Sequence, residues 1–158
     1  MASNWGMKLD FNKLLKAIKY EDVIIGYPEG LPHNSGKADL DELALWNSEP
    51  EKEGKPKRPF LQDGIRENLV EINKAIREEY LRRLMGKPSN LDKIGVIAVT
   101  GVQEFVKGDY YKSHTPNAES TIKRKTSKEG NKKGQFKDKP LIDTAQMING
   151  LTYKVVKS

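Results

Sequence analysis

The 158-residue sequence contains no cysteine, which excludes disulfides, thiolate metal sites and thiol nucleophiles. Histidine is almost as scarce. His33 and His114 are the two present, each in polar, loop-like sequence without the clustered ligands that metal binding requires. No apolar run approaches the roughly 20 residues needed to span a bilayer, so no membrane partner is expected. The stretch from Met1 to Lys8 lacks the basic-then-apolar pattern of a secretion signal. Between Gly26 and Gly36 the glycine and lysine spacing of a phosphate-cradling loop is missing.

Catalytic groupings are equally sparse. The pairs Asp39/Asp41 and Glu78/Glu79 lie in charged helical sequence, where carboxylates serve to solvate a face. Ser120 and Thr121 have lysines nearby in place of a general base. Asp109, Glu119, Glu129 and Asp138 are too widely spaced to suggest a magnesium site beside the basic residues. No catalytic residue, cofactor or metal is expected, and the chain reads as a non-enzyme.

What the sequence does hold is charge, unevenly distributed. Hydrophobic residues make up 36% and charged residues 32%, which suits one domain over 1–158 with a modest core. The net charge is +6. Between Lys107 and Pro140 there are ten Lys/Arg against four acids, and the rest of the chain is balanced. Such a segment attracts nucleic acid or an acidic protein surface, or else stays a solvated loop held open by its own repulsion. Tyr110 and Tyr111 could stack on bases, but no helix-turn-helix, zinc-finger or aromatic sheet signature accompanies them.

Periodicity supplies the elements. Leu9 to Tyr20 has helical spacing, and Val23 to Tyr27 reads as a strand ended by Pro28 and Gly30. Ala38 to Asn47 predicts a short helix, and four prolines and glycines break Glu49 to Pro59. From Leu61 to Met85, Ile65, Leu69, Ile72, Ile76 and Tyr80 recur at helical steps, predicting one amphipathic helix of about 25 residues. Ser89 is placed to cap a second long helix, Asn90 to about Gly108, whose apolar residues nearly encircle it. Such a helix must be buried on most sides, by its own fold or by a neighbouring subunit. Gly95 and Gly101 within it each lower helix propensity by roughly 1 kcal/mol.

A short helix is expected near Ala118 to Lys125, then a mobile loop or arm over Thr126 to Lys139. Asp143 or Thr144 can cap another short helix through Asn149, and Leu151 to Val156 alternates as a strand. The two strands would pair antiparallel. The predicted class is α+β: a small antiparallel sheet of N- and C-terminal strands packed against two long central helices, with an extended basic loop or arm at 107–140. A further hairpin within Asp109 to Pro140 remains open.

Three stretches together resemble a known group. They are Pro56-Lys57-Arg58-Pro59-Phe60-Leu61, then Thr115-Pro116-Asn117 running through Lys125, then Lys139-Pro140-Leu141-Ile142-Asp143-Thr144-Ala145-Gln146-Met147. Their order is similar to that of phage tail-completion and neck (head–tail joining) proteins, related loosely to the minor tail protein Z group of lambda-like phages. The likeness spans about Val23 to Val155. Members of that group often carry Phe-Gly where Trp46-Asn47 stands, and Gly where Ala145 stands.

The resemblance implies a structural virion protein, assembled in the host bacterial cytoplasm. It implies a homo-oligomeric ring, typically a hexamer, between a portal or connector-side adaptor and the tail tube or terminator. On that view Arg58, Phe60, Ile94, Val102 and Phe105 are expected at subunit or partner contacts. Arg58, held between prolines, could pair with a carboxylate of its own or an adjacent subunit, or simply remain a surface charge. Lys123, Arg124, Lys125, Lys128, Lys132, Lys133 and Lys137 form the expected basic arm. It would touch neighbouring protein or, non-specifically, DNA in the lumen. A basic DNA-binding accessory protein of phage assembly is the alternative.

Overall fold

The computed structural model describes residues 21–27, 31–32, 36, 38–49, 54–127, 138–142 and 145–157, and within these the two strands pair with one another. Strands β1 (Glu21–Gly26) and β2 (Thr152–Lys157) form an antiparallel ribbon whose register runs from Glu21↔Lys157 to Gly26↔Thr152. Between them come α1 (Leu40–Ser48), α2 (Phe60–Glu67), α3 (Leu69–Leu84), α4 (Leu91–Lys107), α5 (Tyr110–His114), α6 (Glu119–Ser127) and α7 (Gln146–Asn149). The protein is α+β, with the ribbon and the long helices packed together as the sequence pattern predicts. The helix expected over Leu9–Tyr20 lies outside the described residues. So do His33, the proposed cap at Asp143–Thr144, and Lys128, Lys132, Lys133 and Lys137.

Helix α4 is the centre of the molecule. Ile94, Ala98, Val102 and Val106 recur every four residues and form one buried stripe. Much of its remaining apolar surface is covered by its own chain, since α2, α3, α5, α7 and both strands all touch it, although Val96 stays exposed. The two glycines explain themselves here. A Cβ at Gly95 would collide with the Tyr153 ring of β2, and one at Gly101 would collide with the Asn68 side chain. Their lower propensity is the cost of letting a strand and a helix junction approach this closely.

The ribbon follows the alternation of a half-buried sheet. Val23 and Ile25 turn inward to the core while Ile24 is 55% exposed, and Ile25 pairs across the ribbon with Tyr153. Two adjoining clusters fill the interior. One gathers Leu40, Ala44, Phe60, Val102, Val106, Tyr111, Ile142, Met147, Ile148 and Leu151. The other holds Ile72, Ala75, Ile94 and Ala98 where α3 meets α4.

The single helix expected over Leu61–Met85 is interrupted. Asn68 separates α2 from α3, with its side-chain amide donating to the Gly64 carbonyl at 2.8 Å. That amide competes for the carbonyl that continuous helix would use, and the chain turns. Gly64 then crosses α4 so closely that a Cβ there would stand 2.9 Å from Val102 Cα.

Candidate functional site

The described parts of the stretches 56–61, 115–125 and 139–147 are joined in sequence, and basic side chains fasten them. Arg58 emerges between Pro56 and Pro59, just before α2. Its Nη2 donates to the carbonyls of Thr115 at 2.8 Å and Pro116 at 3.0 Å, while Nε donates to Thr115 O at 3.1 Å. The first stretch therefore grips the second. On α6, Lys125 Nζ donates to Lys139 O at 2.8 Å and also reaches Ile142 O, so the second stretch grips the third. Lys139 Nζ in turn donates to the carbonyls of Lys107 at 3.0 Å and Gly108 at 3.1 Å, and meets the Asp109 carboxylate. A cation on the last carbonyls of α4 also complements the helix dipole.

These contacts correct several expectations. Arg58 serves backbone carbonyls of its own chain, neither pairing with a carboxylate nor remaining a plain surface charge, the two roles left open by the sequence. Phe60 is 2% exposed and Val102 is fully buried, while Ile94 sits in the α3–α4 cluster. None of the three has surface left to offer a neighbouring copy. The expectation failed because α4 was credited with two faces to cover, whereas its own chain supplies walls on several sides. Phe105 is half-buried and lies in an aromatic group with Tyr110 and Tyr111, at ring separations of 5.0 and 5.5 Å. Of the basic arm, Lys123 and Arg124 are exposed on α6, whereas Lys125 turns inward to its carbonyls and is not an arm residue. His114 belongs to helix α5, not a loop, and stacks on Tyr110.

A second knot was not foreseen. Glu79 on α3 is 5% exposed, and its Oε1 accepts from Arg83 Nε at 2.8 Å. Its Oε2 accepts from the Asn90 N–H at 3.0 Å, so a carboxylate from α3 covers an orphan donor at the start of α4. Arg83 Nη2 continues to Glu21 of β1 and to Ser89 Oγ at 2.8 Å. Ser89 thus serves the Glu79–Arg83 pair, and the α4 N-cap residue is Asn90. Burial works against the Glu79 charge. Hydrogen bonds from Arg83, Ser89 and the Asn90 N–H, with the charge of Arg83, outweigh it and hold the carboxyl below the usual carboxylate range. The i,i+4 spacing of Glu79 and Arg83 was the available signal.

Beside this knot lies a mainly apolar cleft of about 280 Å³, walled by Val23, Ile25, Ile72, Ile76, Leu91 and Ile94. Tyr111 of α5 donates to Asp63 of α2 at 2.7 Å, and burial followed by that hydrogen bond raises the tyrosine pKa. Both knots hold their acids on partners that join separate elements. Their geometry is that of fastenings. Among the described residues no three His, Asp or Glu side chains are grouped to hold a metal ion, and no helix is long and apolar enough to cross a membrane.

The surface is less settled than the interior. The outer side of α3 leaves Val70, Leu81, Leu84 and Met85 exposed around Lys74 and Arg77. On α1, Leu45 and Trp46 are exposed as well. No protein family, curated protein or solved structure matches the chain.

Proposed function

We propose that the chain is a structural subunit of a phage neck, joining or completing the tail at the head–tail interface as one member of a homo-oligomeric ring. The observation that carries this reading is the outer side of α3, where large apolar side chains remain in water on an otherwise well-packed helix. An apolar face rimmed by charge fits a surface meant for another protein. The fastening of the three family-like stretches to one another supports the same reading. They shape the subunit and leave contact to its exterior.

In this role the portal or connector-side adaptor lies on one side of the ring and the tail tube or terminator on the other. Lys123 and Arg124, exposed on α6, are placed for diffuse contact with phosphate or with an acidic neighbour. Antibody against the chain should label the head–tail junction of intact virions. Deleting its gene should leave filled heads and finished tails unjoined. Virions that assemble and infect normally without it overturn the proposal.

A further inference from the structure

The uncovered sides of α1 and α3 are opposite in charge and alike in their apolar content. On α1, helical spacing sets Asp41, Glu42, Leu45, Trp46 and Glu49 away from the buried Leu40 and Ala44. Leu45 and Trp46 are 61% and 47% exposed, and α1 contains no basic residue. Glu42 accepts from the Asp39 N–H at 3.2 Å and Glu49 is held by Lys57 at 2.6 Å, so both carboxylates are fixed at the surface.

On α3 the opposite side from Ile72, Ala75 and Glu79 presents Val70, Lys74, Arg77, Leu81, Leu84 and Met85. Val70 and Met85 are 76% and 69% exposed. Two cations therefore stand between apolar ends. Glu78, at the margin, is tied to Lys93 at 2.6 Å. Within one chain α1 packs on the first core cluster and α3 on the second, and both outer sides remain open to solvent.

We infer that these two surfaces meet between chains, with α1 of one copy seated on α3 of the next. Leu45 and Trp46 then cover Leu81, Leu84 and Met85, while the α1 carboxylates face Lys74 and Arg77. The lengths agree. Asp41 to Glu49 spans about 12 Å and Lys74 to Met85 about 16 Å at the helical rise. Because the two surfaces differ, every copy offers one of each, and the contact is head-to-tail. Repetition of such a contact closes a ring or extends a filament. The joint deepens the proposed subunit role, on which it rests for its place in a virion.

The cysteine-free chain allows a direct test. Full-length Leu45→Cys and Leu81→Cys proteins, mixed and treated with a short bismaleimide, should give a covalent mixed dimer. Its yield should exceed by about tenfold that of either variant alone, or of Leu45→Cys mixed with Val96→Cys, a control at another exposed position. Adding Lys74→Glu and Arg77→Glu to the Leu81→Cys copy should lower the yield about tenfold. Asp41→Lys and Glu49→Lys in the other copy should restore it. Equal yields for all pairings, or no effect of charge reversal, overturn the joint even if the protein is found in virion necks. Absence from the neck with the cross-link intact overturns the neck role and leaves the joint.

Discussion

Arg58 grips the Thr115 carbonyl twice, through Nε at 3.1 Å and Nη2 at 2.8 Å, across 57 residues of sequence. The approach to α2 and the turn between α5 and α6 are joined by one planar cation whose fork matches two successive carbonyls.

Replacing Arg58 with Met should therefore lower stability by about 2 kcal/mol, the scale of hydrogen bonds from a charged group. Arg58→Lys should recover only part, because an ammonium lacks the fork. Urea unfolding reads both, as a lower midpoint at unchanged slope. An unchanged midpoint for Arg58→Met would show that the clamp contributes nothing.

Glu79 predicts a pH dependence. Its folded carboxyl is held below the ordinary range, so its contribution is present above the unfolded carboxylate pKa and is lost as pH falls through the folded one. Stability should decline on acidification, and Glu79→Gln should flatten part of that decline. Arg83→Met, which leaves Glu79 to the Asn90 N–H and the more distant Arg82 guanidinium, should cost about 1.5–3 kcal/mol at neutral pH, the scale of a lost charged hydrogen bond. Denaturation series at several pH values separate these outcomes.

Ala145 adopts a left-handed conformation, φ 59° and ψ 3°, at the entry to α7. A Cβ is disfavoured there by roughly 1–2 kcal/mol, and glycine recovers this at some cost in unfolded-chain entropy. Ala145→Gly should stabilise the protein by about 0.5–1 kcal/mol, seen as a higher Tm.

Gly64→Ala should do the reverse. The added methyl stands 2.9 Å from backbone that cannot rotate away, Val102 Cα. Overpacking of this kind costs about 1–3 kcal/mol and exceeds the helix-propensity gain of roughly 1 kcal/mol. Calorimetry of the variant gives the sign directly.

The elements of this fold were largely legible in the sequence, because period and punctuation are local. A β-rich run ended by Pro28 and Gly30 placed the first strand, alternation placed the second, and the apolar girdle of α4 was visible from Leu91 to Val106. The break at Asn68 was not, since it depends on a side-chain amide choosing the Gly64 carbonyl over solvent. The wall around α4 was not legible either. Periodicity counts apolar positions but says nothing about how many elements of the same chain will surround them, and so Ile94 and Val102 were expected at contacts with another chain. Lys125 was read as an arm residue, for the backbone carbonyls of Lys139 and Ile142 that receive it carry no mark in the residue sequence. The opposed faces of α1 and α3 emerge only when exposure is known residue by residue.

The β1–β2 register, Glu21 against Lys157, has a consequence for synthesis. Translation delivers β2 to the growing chain after every described helix, so β1 waits unzipped on the nascent polypeptide while those helices take shape. Loop-closure entropy favours the same order, because local turns form before distant segments meet. Strand β2 behaves as a latch: until it leaves the ribosome, Val23 and Ile25 lack their partners Val155 and Tyr153, and the ribbon cannot zip closed.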